Sequence, residues 1–284
     1  MIKRILVALD PDEDTPVATK YAIELAKNVD ARLTGLAVVD TNRIAWDSWG
    51  GGIGTIYYTK QLYDTMSDTS KGVAEKLLQA FETAVSEAGI NHTEVLREGV
   101  PYERIIEDMK YHDLLVVGRN AHFFYNHADE DTKTLARLIK KGNAPTLAIT
   151  EEYHPVKRVL VAFDGSSAAA RTLQWFIHLL PFGKNLELEL VHVNSDQSEA
   201  GRDRSDLLLQ QVENYLEVHG FQQINRTILG KGKPGGRLLE HQQSIGADLI
   251  LLGAHSVSAI RRLTLGSTTH HLMTKSSAPL FLCH

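Results

Sequence analysis

Short uninterrupted apolar runs and longer helical stripes alternate along this chain. Ile5 to Leu9 is continuous and apolar, the pattern of a strand covered on both faces. Thr15-Pro16 then reads as a helix cap with proline at the first helical position, and Val17, Tyr21, Ala22 and Leu25 recur at helical spacing. The alternation starts again in the second half, where Ser166 reads as a cap and Ala170, Leu173, Ile177 and Leu180 as the apolar stripe. About five strand and helix pairs in each half predict a parallel sheet with helices on both faces and right-handed crossovers. Such sheets bind ligands beyond the carboxyl ends of their strands, where the winding reverses. The positions to inspect are therefore Asp10, Asp40 and Gly118, then Asp164, Asn194 and Gly253.

The restart is a true repeat. Lys3-Arg4-Ile5-Leu6-Val7-Ala8-Leu9-Asp10 returns as Lys157-Arg158-Val159-Leu160-Val161-Ala162-Phe163-Asp164. Leu36 to Asp40 is read opposite Leu190 to Asn194, and Gly99-Val100-Pro101 opposite Gly232-Lys233-Pro234. Asp113 to Gly118 answers Asp248 to Gly253, and Ala144 to Leu147 answers Ala278 to Phe281. Order and approximate spacing are kept, so a whole domain has been duplicated rather than a short solenoid unit.

After its fourth strand the second copy reads Gly253-Ala254-His255-Ser256, nine further residues, then Gly266-Ser267-Thr268 opening a helix. Glycine lets backbone approach a ligand, the hydroxyls donate, and the free amides of a helix start attract an anion. The first-strand Asp, the Gly-x-Pro turn and this loop closely resemble the universal stress protein family in its tandem form, over nearly the whole chain. The resemblance implies two Rossmann-like (adenine nucleotide hydrolase-like) α/β domains, residues 1–152 and 153–284, each a five-stranded parallel sheet with helices on both faces. It also implies ATP, with Mg²⁺, held by the second copy. Ala162, Phe163 and Asp164 would then flank adenine and ribose, and Val193 would meet the base. Leu252, Gly253, His255, Ser256, Gly266, Ser267 and Thr268 would line ribose and phosphates. Ser256 departs from the pattern, standing where a second glycine is usual.

The first copy departs further. Gly118-Arg119-Asn120-Ala121 keeps one glycine, but Asp131-Thr132 occupies the Gly-Ser/Thr position, where a carboxylate caps the helix and repels phosphate. Nucleotide binding of the family kind is not expected there. Asp164 has two readings, a ligand for ribose or Mg²⁺ and a cap for the helix that follows. Gly230 to Gly236 lacks the Gly-Lys-Ser/Thr of a P-loop and reads as a turn, with Lys231 and Lys233 near enough to approach a ligand. His255, His270 and His271 lack acidic or thiol partners at ligand spacing and read as solvated, as do Arg261 and Arg262. Trp46, Trp49, Gly50 to Gly52, Tyr57 and Tyr58 form a glycine-rich aromatic stretch that fits a lid, a partner surface or a flap on its own domain equally well.

Composition narrows the classes. With 284 residues, 43% apolar and 23% charged, the chain is a globular protein of about two domains. A net charge of −5 without a dense Lys/Arg patch disfavours nucleic acid. The apolar runs are strand-sized, and Met1 to Asp10 enters a strand directly, so no membrane span or leader is expected and the cytoplasm is the expected location. One cysteine, Cys283, excludes a disulfide framework. No nucleophile elbow or Cys/His pair is present. The reading is an ATP-binding regulatory protein that is no enzyme, or hydrolyses ATP slowly at most, and that pairs as a homodimer. Its rival is an interaction scaffold independent of nucleotide.

Overall fold

A computed structural model gives the fold and describes residues 1–41, 56–121, 123, 133–196, 198–254 and 265–284, with backbone alone at 56–59 and 133. The first half runs β1 (Arg4–Leu9), α1 (Asp14–Val29), β2 (Arg32–Val39), α2 (Ile56–Glu87), β3 (His92–Glu98), α3 (Pro101–Met109), β4 (Leu114–Gly118), α4 (Lys133–Lys141) and β5 (Thr146–Ile149). The second runs β6 (Arg158–Ala162), α5 (Ser167–Leu179), β7 (Glu187–Val193), α6 (Glu199–Val218), β8 (Gln223–Leu229), α7 (Pro234–Ile245), β9 (Leu249–Gly253), α8 (Ser267–Lys275) and β10 (Leu280–Cys283). Each half is a parallel sheet whose winding reverses beside its first strand, at β1–β4 and β6–β9.

The halves do not stop at their own edges. β5 and β10 pair antiparallel and fuse them into one ten-stranded sheet, ordered β3-β2-β1-β4-β5-β10-β9-β6-β7-β8. Leu147 stands opposite Phe281, its own counterpart in the repeat, so a local two-fold axis passes between them. The apolar core accordingly divides by sheet face and not by repeat. One cluster joins Ile5, Val7, Leu147, Val159, Phe176 and Phe281, and the other joins Leu6, Ala8, Ala148, Leu160, Leu280 and Leu282.

Several local devices hold the frame. Asp113 Oδ2 accepts the N–H groups of Lys3 and Arg4 at 2.7 and 2.9 Å, and Asp248 Oδ2 accepts those of Lys157 and Arg158 at 2.9 and 2.8 Å. In each half one carboxylate thereby satisfies two amides at the start of the first strand. The linker between β5 and β6, residues 150–157, is strapped to α1: Tyr21 donates its hydroxyl to the His154 carbonyl at 2.8 Å and accepts the His154 N–H at 3.1 Å. Tyr153 packs against Tyr21 with the rings tilted at 54° and their centroids 4.8 Å apart, lies 3.8 Å beneath the Lys20 ammonium and donates to Glu24.

Three local readings need correction. Thr15 is not the cap of α1; the helix begins at Asp14 with Glu13 in the cap position and no side-chain capping bond. Thr15 instead sits in the first turn and accepts the Asp10 N–H at 3.1 Å, and Pro16 is tolerated because first-turn amides have no helical acceptor. Ser166 does cap α5, accepting the Ala169 N–H at 3.2 Å, but Leu180 ends that helix in a left-handed conformation rather than extending its stripe. The repeat also slips by one residue at the second strand: Ala8 pairs with Leu36 while Ala162 pairs with Val191. Leu36 therefore matches Val191, and Val38 matches Val193. A one-residue shift exchanges the two faces of a strand, so only this register puts matching side chains in the same core.

At the junction, Thr146 is wholly buried and its Oγ1 has no hydrogen-bond partner among the described residues. A buried hydroxyl left unpaired costs about 1–3 kcal/mol, and valine has nearly its shape. Thr146→Val is expected to raise the urea midpoint, by up to about 1 kcal/mol in stability.

Candidate functional site

At the carboxyl ends of β6, β7 and β9 the second half opens into a cavity of about 210 Å³. Its walls come from Ala162, Val191, Val193, Leu238 and Leu252, and its mouth from Asp164, Gly266, Ser267 and Thr268. The nine expected site residues that fall among the described ones, Ala162, Phe163, Asp164, Val193, Leu252, Gly253, Gly266, Ser267 and Thr268, all line this one space. His255 and Ser256 lie outside the described residues, as do Arg261, Arg262, Asp131, Thr132, Trp46, Trp49 and Gly50 to Gly52, and the side chains of Tyr57 and Tyr58.

The site is assembled from strand ends and two helix starts. Glycine at the α8 cap position supplies no side chain, and no side-chain cap bond forms, so the first amides of α8 face the cavity mouth. Gly235 lets α7 press against α8, since a Cβ there would stand 2.9 Å from the His271 Cβ. Gly253 has a packing reason too: the place of its Cβ is taken by the backbone of Ala168 and Ala169. Its glycine thus follows from close approach of α5 to β9, whatever else it does. His192 Nδ1 donates to the Phe163 carbonyl at 2.8 Å and fixes the wall between β6 and β7. Asp164 is exposed and accepts the Ser166 N–H at 2.9 Å, which folds the turn ahead of α5; the helix cap itself is Ser166. Lys231 and Lys233 are exposed and contribute nothing to the lining.

Val191, Pro234, Leu238 and Thr269 also line the cavity and were not singled out from sequence. Their signals were present: Val191 and Val193 alternate along β7, and Pro234 and Leu238 are one helical turn apart.

The same place in the first half is closed. Ala8, Leu36, Val38, Ile105 and Val117 stand where Ala162, Val191, Val193, Leu238 and Leu252 stand in the second half, and all five are 0% exposed. Phe123, also 0% exposed, packs in their cluster. Its N–H donates to the Asp10 carboxyl, and the Asn120 N–H donates to Asp14 Oδ2 at 2.8 Å. Three acids, Asp10, Asp12 and Asp14, crowd this strand end. Burial first, then the like charge of Asp12, pushes the Asp10 carboxyl up to about 8, and burial raises Asp14 as well. Arg119 and Glu151 face Asp14 from the end of β4 and from the linker. Among the described residues no group of three or more His, Cys, Asp or Glu is placed to hold a metal ion, and no helix is long and apolar enough to cross a membrane.

The universal stress protein family model matches residues 1–148 and, a second time, residues 155–284. The chain belongs to the universal stress protein family. A universal stress protein of Synechocystis sp., Slr1230, is 26% identical over 292 residues, covering 98% of this chain and 99% of that protein. One from Methanocaldococcus jannaschii, MJ0531, is 30% identical over 156 residues, covering 52% of this chain and 82% of that protein. Among solved structures, a universal stress protein from Archaeoglobus fulgidus DSM 4304 superposes with a TM-score of 0.70 at 22% identity, over 99% of this chain and 95% of that one. A protein of unknown function from Pseudomonas aeruginosa PAO1 gives 0.62 at 14% identity, over 99% and 92%. At these identities the structures attest the tandem α/β fold of this universal stress protein and nothing finer.

Asp10 makes the stability of this universal stress protein depend on pH. Below about 4 both folded and unfolded chains hold the proton. Between there and about 8 the unfolded carboxyl has lost it while the folded one keeps it, so folding stability falls as pH rises through that window. Thermal melts should show the midpoint dropping from pH 5 to pH 8.5, by at most about 1.4 kcal/mol per pH unit from this group. Asp10→Asn is expected to flatten the slope; an unchanged slope would place the titration elsewhere.

Proposed function

We propose that this universal stress protein binds an adenine nucleotide, ATP with Mg²⁺, in the cleft of its second half, as a regulator and not as an enzyme. The observation that carries the reading is one juxtaposition: an apolar slot between β6, β7 and α7 opens onto the α8 start, which has no side-chain cap. A planar base fits the slot, and the helix start receives an anion through its N–H groups and its dipole. At about 210 Å³ the cavity is below the roughly 300–1,000 Å³ of full drug-sized pockets, which suits a base and ribose enclosed with phosphates outside, over α8.

The other lining groups fit the same ligand. Ser267 and Thr268 offer hydroxyls beside the phosphate position, and exposed Asp164 stands at the mouth for a ribose hydroxyl or a phosphate-bound Mg²⁺. Bound ATP would supply negative charge and a base to bury; the chain's part is to orient both and to exclude water from the base. Asp164 is the one carboxylate among the described lining residues, and its bond to the Ser166 amide engages it in the turn. That arrangement favours holding over hydrolysis.

Calorimetric titration of MgATP into wild type and Gly266→Asp tests the reading. One site per chain is expected in wild type. The variant places a carboxylate at the head of α8, and at least a tenfold loss of affinity is expected. No heat in wild type, or binding untouched by the substitution, would reject this cleft and favour a nucleotide-independent scaffold.

A further inference from the structure

Two described residues that follow β4 in the first half, Asn120 and Phe123, bond to their own chain where an open cleft would face a ligand. Asp10, at the end of β1, receives the Phe123 N–H, and Asp14, at the start of α1, receives the Asn120 N–H. Both carboxylates are buried, at 1% and 0% exposure, and Asp14 Oδ1 lies against Gly118 without a hydrogen-bond partner among the described residues. The matching positions in the second half differ in kind. Asp164 is exposed and turned to Ser166, and Ala168 replaces Asp14.

Phe123 completes the contrast. Its backbone is in the left-handed region, φ 58°, which a bulky side chain seldom takes unless its surroundings impose it. Here those surroundings are the Asp10 bond on one side of the residue and, on the other, the apolar cluster of Ala8, Val38, Ile105 and Val117. These are the counterparts of the walls of the open cleft.

We propose that the first half is a self-liganded cleft, in which the Phe123 ring takes the place of a planar aromatic ligand and the Asp10 and Asp14 carboxyl groups take the place of its hydrogen-bond acceptors. The half is shut by an internal ligand, and the space beneath the ring keeps a shape suited to a neutral planar heterocycle. A nucleoside can enter once the ring is removed; a nucleotide cannot, because its phosphates meet the like charge of the acid cluster at Asp10, Asp12 and Asp14. The choice of adenosine as probe rests on the nucleotide reading of the second half, whereas the closure of the first half does not.

The test is calorimetry with adenosine and with MgATP on the full chain carrying Phe123→Ala, alone and combined with Gly266→Asp. The expected result is one more adenosine site per chain than the parent in both backgrounds, with no added site for MgATP. A folded Phe123→Ala chain that gains no adenosine site, or gains MgATP as readily, overturns the proposal. If wild type binds no nucleotide and Phe123→Ala still gains adenosine, the second-half reading has failed and this one stands. Should the variant not fold, amide hydrogen exchange on the wild-type chain decides. The Phe123 and Asn120 amides should exchange at least a hundredfold more slowly than free peptide, and exchange at the free rate overturns the closure.

Discussion

The antiparallel pairing of β5 with β10 is the contact on which the rest of this universal stress protein is arranged. Each half alone would end in an exposed strand edge at β5 or β10, a row of unpaired amides and carbonyls open to other chains. Joining the two edges removes both. The join is isologous, with Leu147 against Phe281 on the local axis, so one chain achieves what two identical subunits achieve by symmetry. Because the core runs across the join on both faces, the halves share their apolar clusters, and damage at the junction is felt in both.

The same pairing fixes where the clefts lie. Strands are parallel within each half and antiparallel across the join, so their carboxyl ends point in opposite directions and the two clefts open at opposite ends of the sheet. Duplication then left two sites free to diverge without touching each other. In the second half Gly165, with φ 79°, and Ser166 build a turn that leaves Asp164 in solvent. In the first, Asp10, Asp12 and Asp14 bring three carboxylates to the equivalent turn, and Asp10 and Asp14 are buried. Burying acids is costly, and the chain meets the cost by retaining a proton on Asp10, by bonding backbone amides to Asp10 and Asp14, and by setting the Arg119 charge near Asp14.

Much of the frame was legible in the sequence, because apolar runs buried on both faces and repeated in order leave few alternatives. Register was not. Leu36-Ala37-Val38-Val39 is apolar at every position, so periodicity could not choose between two alignments one residue apart, and pairing with Ala8 decides it. Gly266-Ser267 and the strand-end residues pointed to the place where the cleft opens, but part of its lining was missed, since Val191 and Leu238 look like ordinary core until β7 and α7 are placed together. Phe123 gave no signal at all. It stands in a stretch of sequence without periodicity, and its partner Asp10 is more than 100 residues away in sequence.

One contact links the two ends of the sheet. The helix whose first amides face the open cleft, α8, ends at Ser276, and the Ser276 carbonyl accepts a bond from the Arg119 guanidinium of the first half. Arg119 directly follows Gly118 at the closed cleft, and its charge interacts with Asp14 and Glu151 there. A cation at the carboxyl end of a helix and an anion at its amino end act on the same dipole with the same sign. Arg119 therefore stabilises α8 in the sense that an anion at Gly266 would, and it does so from beside the acids that keep the first half shut. The closed half is in this way part of the support of the open one.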